Sequence, residues 1–339
     1  MIIDMRCRLT TTSASGYFRA QMQANATSSV IEGTEAAFWA DLDRAGVTVA
    51  VSVSGQNPGM KLGPKILADR TTTNDDLAAF QNRFPERFVG VAGIDVSNTM
   101  HDSSEELVRS VNELGLRVAT IEPGRAPWYA PNPADRRLYP FYEQAEALGV
   151  PLVIQTSGLK GGKNIDYAHP RWIDQLAEDF PQLRIICGHG CAPFVRELIF
   201  VVGRREHVYA SPDMYLFFPG GQEWVQAVNQ FRWMADKFLF ASGYPLCRDL
   251  KSFVDRFMAL EWKPEVLDRI LYRNAIRALG LEENPYFGTV LRQPDIYVGH
   301  QPIREQAGPV LPRTPLENPQ KRSLALPRRV IRRLARIFK

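Results

Sequence analysis

Short apolar runs rich in Val and Ile recur along this chain, each followed by a helix-like segment, and this alternation constrains the fold more than any other feature. The runs are "VTVAVSV" (47–53), "RFVGVAGI" (87–94), "LRVATIE" (116–122), "VPLVIQT" (150–156), "LRIICGH" (183–189), "HVYAS" (207–211) and "KFLFAS" (237–242). With the opening "MIIDMRCR" they make eight strands. Between them lie segments such as "TEAAFWADLDRAG", "SEELVRSVNELG", "DRRLYPFYEQAEALG" and "HPRWIDQLAEDFP". Thr34, Ser104 and Asp135 stand near helix starts, and Gly46, Gly115 and Gly149 just past helix ends. Strands separated by helices pair in parallel, and eight such units predict an α/β fold of the (β/α)8 barrel type. A doubly wound open sheet is the alternative, but no Gly-rich phosphate turn follows the first strand.

At 339 residues with 45% hydrophobic content, the chain can bury one large core, so a single barrel over 1–284 is expected. The first apolar run is broken by Asp4 and Arg6, and no stretch reaches the roughly 20 apolar residues of a membrane span, so a cytoplasmic protein is expected. The net charge of +4 conceals an asymmetry. Eight of the 41 basic residues fall within 321–339, which holds no acid, leaving 33 against 37 acidic residues elsewhere. The basic character belongs to the tail, and a nucleic-acid-binding core is not expected. Residues 285–326 read as a Pro-rich linker or strap. Residues 327–339 read as a basic amphipathic helix that folds only against an anionic membrane or an acidic groove. The four cysteines, Cys7, Cys187, Cys191 and Cys247, are spaced as free thiols rather than as a disulfide framework.

In a parallel barrel, chemistry is carried at the C-terminal strand ends. Those ends are Arg6 and Arg8, Ser54, Asp95, Glu122, Gln155, His189, Ser211 to Asp213, and Ser242 to Gly243. Long loops follow strands one (10–33), four (123–135) and five (156–170), where Trp128, Tyr129 and Tyr167 either line a pocket or pack the loops onto the barrel.

Five stretches, in order, carry a resemblance. They are "MIIDMRCR", "GVPLVIQTSG", "FPQLRIICGHGCAPF", "KFLFASGYPL" and "ILYRNAIRALGL". They resemble the amidohydrolase superfamily over roughly residues 1 to 281, specifically its amidohydrolase-related branch of aminocarboxymuconate-semialdehyde decarboxylase-like enzymes. That resemblance implies a metal-dependent hydrolase or carboxy-lyase. Its metal ligands are two N-terminal histidines, a histidine ending strand five and an aspartate after strand eight, with a catalytic histidine after strand six. The matching positions here are Arg6, Arg8, Gln155, Gly243 and His189. Only His189 agrees. A guanidinium has no lone pair to offer and Gly243 has no side chain, so neither the family's metal nor another cofactor is expected. Cys187, His189, Cys191 and Cys247 are the alternative ligand set, although their spacing is not a common zinc pattern.

Arg6 and Arg8 therefore have two readings. Either they pair internally with Asp4, Glu122 or Asp95, or they form an anion clamp for a carboxylate or phosphate. His189 with Glu122 is the candidate acid/base pair, Asp213 a third catalytic candidate in a turn-like context, and Arg6, Arg8, Gln155, Trp128 and Tyr167 the candidate substrate contacts. Three functions follow. The favoured one is a non-catalytic or remodelled subunit supporting a metal-bearing paralogous barrel, or acting as a homo-oligomer. The alternatives are an active hydrolase or decarboxylase-like enzyme on a small carboxylated or amide substrate, and a tail-anchored binding module.

Overall fold

The computed structural model describes residues 1–11, 16, 19–20, 28–53, 60–62, 65–67, 71–125 and 129–292. Ser54, Trp128 and the tail beyond residue 292 lie outside them, as does the amphipathic helix expected over 327–339. Of the linker expected over 285–326 only 285–292 is described, and there the chain is not extended: Gly288–Leu291 is helical and Phe287 is buried against the core. One compact unit runs from Met1 to Tyr297. Its strands are β1 (Ile3–Asp4), β2 (Val49–Ser52), β3 (Phe88–Gly90, continuing as Ala92–Gly93), β4 (Ala119–Ile121), β5 (Leu152–Gln155), β6 (Ile185–Gly188) and β7 (Val208–Ser211). Each pairs in parallel with the next, from β1 to β7. Every residue of these seven strands is buried, and a separate antiparallel pair, Met60–Leu62 with Lys65–Leu67, lies in the connection after β2.

The eighth run closes the ring. Leu239 N donates to Ala210 O (2.9 Å), Met5 N to Phe240 O (3.0 Å) and Arg8 N to Tyr244 O (3.1 Å). It does so through isolated bridges at Phe238 and Tyr244 rather than a continuous ladder, because the buried Asp4 carboxylate takes the Ser242 N–H at 2.9 Å. Closure excludes the open-sheet alternative, and the fold is a (β/α)8 barrel. Strand β3 is interrupted where it changes partner. Val91 N bonds Ser52 O of β2, and Ala92 N bonds Val118 O beside β4.

Helices α1 (Glu35–Ala45), α2 (Asn74–Arg83), α3 (Ser103–Asn112), α4 (Tyr139–Ala147), α5 (Arg171–Asp179), α6 (Val195–Arg204), α7 (Gln222–Gln230) and α8 (Leu250–Met258) follow the successive strands. Thr34 caps α1 through Ala37 N, and Gly46 ends it in the left-handed conformation. Ser104 stands at the second position of α3, near its start as expected, but the cap is a different residue. Asp102 caps α3, taking the N–H groups of Ser104 and Glu105, because its carboxylate reaches two orphan donors at once. Asp135 caps a short 3-10 turn, Arg136–Leu138, that leads into α4. Phe38 and Leu42 of α1 are completely buried, each contributing about 1.5 to 3 kcal/mol of apolar burial. Among the described residues, no helix is long and apolar enough to cross a membrane.

Candidate functional site

Strand β6 ends at Gly188 and the chain then turns through three successive left-handed residues, His189 (φ 69°), Gly190 (φ 59°) and Cys191 (φ 53°). For a residue with a Cβ this conformation costs about 1 to 2 kcal/mol. Surrounding bonds hold it. Thr156 Oγ1 donates to Gly188 O (2.6 Å) and accepts from Cys191 N (3.0 Å). A Cβ at Gly190 would lie 3.0 Å from Pro212 Cα, so the turn after β6 lies directly on the turn after β7. Asp213 in that second turn is also left-handed (φ 47°). Two strained turns therefore bring His189 and Asp213 together.

Asp213 is the hub of the site. Its Oδ2 lies 2.7 Å from His189 Nδ1 and 3.3 Å from Arg6 Nε. The Asp213 side chain is fully buried, while that of His189 is 15% exposed, so the imidazole is the member of the pair that solvent can reach. Arg6 Nη1 donates to Gln155 Oε1 (2.5 Å), and Gln155 Nε2 donates to Thr120 Oγ1 (2.9 Å). Gly188 makes room for this chain, since a Cβ there would lie 3.2 Å from Gln155 Oε1 and 3.4 Å from Arg6 Nη1. Burial first, then the Arg6 charge, depress the His189 pKa below its ordinary 6.5, against the pull of Asp213. The imidazole is therefore neutral at pH 7. Buried Arg8 also lies close enough to lower it. Tyr215 packs edge-on against the His189 ring at 5.0 Å, and its hydroxyl pairs with Ser157 Oγ at 2.6 Å.

The assembled cluster is Arg6, Gln155, His189 and Asp213, and it corrects several pairings expected from the sequence. The carboxylate beside His189 is Asp213, not Glu122, which pairs with Arg125 Nη1 at 3.4 Å. The Arg6 side chain forms its ion pair with Asp213, a partner not expected from the sequence, and only its backbone N–H meets Asp4. Asp95 accepts the N–H groups of Ser97, Thr99 and Met100 and the Ser97 hydroxyl. Asp4 accepts from Ser242 Oγ (2.5 Å), Ser242 N and Arg6 N, and burial pushes its pKa up to about 6. The reason for all three is reach. Asp213 lies inside the mouth because its turn is left-handed, a conformation no local sequence rule forecasts for a non-glycine residue. Thr120, Thr156, Tyr215 and Arg125 were not singled out from the sequence; the two threonines border apolar strand runs, the one local signal they carry.

The metal centre implied by the resemblance does not fit these residues. The Arg6 guanidinium occupies the space between Gln155 and Asp213 and brings positive charge where a cation would bind. At the strand-eight position, a Cβ at Gly243 would lie 2.7 Å from Met214 Cε and 3.9 Å from Asp213 Cβ, so β7-turn side chains fill the place of the missing ligand. The thiol alternative is not assembled either. Cys187 hydrogen-bonds Cys191 and Cys7 lies near Cys247, but among the described residues no three His, Cys, Asp or Glu side chains form a group able to hold a metal ion.

The sequence model of the amidohydrolase family matches residues 33–281. A 2-keto-4-carboxy-3-hexenedioate hydratase from Sphingobium sp. is 35% identical over 132 residues, spanning 34% of this chain and 39% of that protein. An uncharacterized TIM-barrel protein from Bordetella bronchiseptica is 32% identical, with a TM-score of 0.66, covering 82% of this chain and 98% of that one. The 2,6-dihydroxybenzoate decarboxylase from Rhizobium shares the fold at 17% identity and a TM-score of 0.58, covering 83% of this chain and 99% of that one. A family match over residues 33–281, most of the barrel, makes this chain a member of the amidohydrolase family.

Proposed function

We propose that this barrel binds a small carboxylated substrate and transfers a proton through His189, with arginine in the place of the family's metal. One observation carries this reading: the Asp213 carboxylate is shared between His189 Nδ1 at 2.7 Å and Arg6 Nε at 3.3 Å. A carboxylate at Nδ1 orients a neutral imidazole and leaves Nε2 as the nitrogen that takes a proton. Arg6 and Arg8 supply fixed positive charge for an anionic group, the role a guanidinium fork suits. Left-handed backbone at both His189 and Asp213 supports a functional origin, because strain held by surrounding bonds gathers at reacting sites. The substrate class is supported by the hydratase relative, whose name describes a carboxylated unsaturated diacid. Hydration, hydrolysis and decarboxylation of such acids all use a positioned proton carrier.

The test is a turnover screen of carboxylated enols and unsaturated diacids with protein dialysed against chelator. Activity that survives the chelator and is lost in His189→Asn supports the reading, and activity that requires added zinc or manganese sinks it. A second reading, a supporting subunit for a metal-bearing paralogous barrel, is favoured by the internal engagement of Arg6 with Gln155 and Asp213. Stoichiometric co-purification with such a barrel, together with no turnover by this chain alone, would decide for it.

A further inference from the structure

Tyr167 follows β5 in a short 3-10 turn, Ile165–Ala168, and its side chain is only 2% exposed. Three glycines from two loops form the slot that holds its ring. A Cβ at Gly124, in the loop after β4, would lie 2.7 Å from Tyr167 Cδ2. Cβ atoms at Gly161 and Gly162, in the loop after β5, would lie 2.6 Å from Cε1 and 2.5 Å from Cγ. No other residue type fits at these positions without moving the ring, so the phenol is built into place rather than filling a gap by chance. A ring held this firmly presents its hydroxyl in one direction.

That hydroxyl has no hydrogen-bond partner among the described residues, although it is buried. Leaving a buried donor unmatched is unfavourable, and the large majority of buried phenols avoid it. The groups that act on it electrostatically are Glu122, Cys191, Arg6 and Tyr142 of α4, with burial as the main cause of its raised pKa. Arg6 belongs to the Asp213 cluster, Cys191 ends the left-handed turn that carries His189, and Glu122 ends the strand before the Gly124 loop. Tyr167 thus stands on the mouth side of the barrel, in the loop after β5 and against the loop after β4, with Tyr142 of α4 on its other flank.

We propose that the Tyr167 hydroxyl is a substrate-binding donor that hydrogen-bonds a carboxylate oxygen of the ligand beside Arg6. This inference rests on the carboxylate-binding reading above. The unmatched donor acquires its acceptor when the ligand binds, which converts a cost of the free protein into affinity. An anionic acceptor suits the Arg6 guanidinium, the one cation among the described groups that act on this hydroxyl.

The experiment measures malonate binding by titration calorimetry and unfolding by urea, for wild type, Tyr167→Phe and Arg8→Gln. Phenylalanine keeps the ring in its glycine slot and removes only the orphan hydroxyl. The expected result is unchanged or slightly raised stability for Tyr167→Phe, with malonate bound roughly ten- to a hundredfold more weakly, as for one hydrogen bond to a charged acceptor. A 3-fluorotyrosine label, its Tyr167 resonance identified by its absence in the variant, is expected to shift in wild type on malonate addition. Malonate bound equally by wild type and Tyr167→Phe but lost in Arg8→Gln overturns the role of Tyr167 and leaves the carboxylate site standing. A clear loss of stability in Tyr167→Phe also overturns it, by revealing a structural partner. No malonate binding by wild type overturns both.

Discussion

Two buried polar clusters in this barrel are built on opposite terms. The first, at the break in β3, centres on Asn74. Its Oδ1 accepts from Gly93 N (2.8 Å), and its Nδ2 donates to Gly93 O (3.1 Å) and Glu106 Oε1 (2.6 Å). Glu106 in turn binds Arg109, which also pairs with Asp75. Asn74 itself takes ordinary helical backbone as the first residue of α2. The second cluster, at the mouth, shares one carboxylate between a histidine and an arginine, holds left-handed backbone at His189, Cys191 and Asp213, and leaves the Tyr167 hydroxyl unmatched. The Asn74 cluster substitutes for missing ladder bonds and is satisfied in full, as a stabilising network must be. The mouth keeps strain and an unmatched donor, the features on which the proposed ligand site rests. Burial alone therefore does not separate the two clusters; their backbone strain and the sharing of one carboxylate do.

The strongest challenge to this contrast is removal of the shared carboxylate. Asp213→Ala is expected to lose about 3 to 5 kcal/mol of stability by stranding the buried Arg6 charge, and Arg6→Ala a similar amount. The double variant should lose clearly less than the sum of the two, because the residues are in contact. Urea unfolding of all three proteins checks this, and strict additivity would mean that Arg6 and Asp213 are energetically separate.

Asp4 sharpens the comparison through pH. Its folded pKa of about 6 lies above the ordinary 3.8, so the folded state holds the proton more tightly than the unfolded one. Stability from this group is complete below pH 4 and is lost as pH rises through 6, by about 3 kcal/mol in all. Asp4→Asn, which can still accept from Ser242 N and Arg6 N, should show a stability difference from wild type that changes across pH 4 to 6 and is constant above. A flat difference across that range would mean Asp4 titrates normally.

Breaking the satisfied cluster gives a smaller effect of a different kind. Asn74→Ala leaves the Gly93 N–H without its acceptor and is expected to cost about 1 to 3 kcal/mol, with no change in ligand affinity at the mouth. Reduced malonate binding in a folded Asn74→Ala protein would mean that the two clusters are coupled.

The smallest expected effect is a shift in one titration. Arg6 is the second cause, after burial, of the depressed His189 pKa, so Arg6→Met should raise the pH at which the imidazole protonates, read by NMR of its ring protons. In wild type the depressed pKa means that the folded state resists protonation, and His189's contribution to stability declines as pH falls below 6.5. This trend runs opposite to that of Asp4, and His189→Asn should abolish it.

Sequence by itself determined the barrel, its strand order and the positions at the mouth. Seven of the eight apolar runs appear as strands trimmed by a few residues, and Thr34, Asp135 and Gly46 cap where local capping chemistry says they should. These signals are legible because they depend on neighbours a few residues away: hydrophobic period, hydroxyl or carboxylate caps, and glycine after a helix. The same local reading identified His189, Arg6 and Gln155 as residues at strand ends. Only the tertiary structure decided their partners. Asp213 reaches Arg6 across 207 positions of sequence because two left-handed turns lie against each other at Gly190 and Pro212. Asp4 is drawn away from Arg6's side chain by Ser242, which arrives from the far end of the barrel. The glycine slot around Tyr167 joins two loops that meet only after the strands have closed. Side-chain pairing at a barrel mouth is set by the angles at which eight separate loops leave the sheet, and those angles are a property of the closed ring rather than of any one segment.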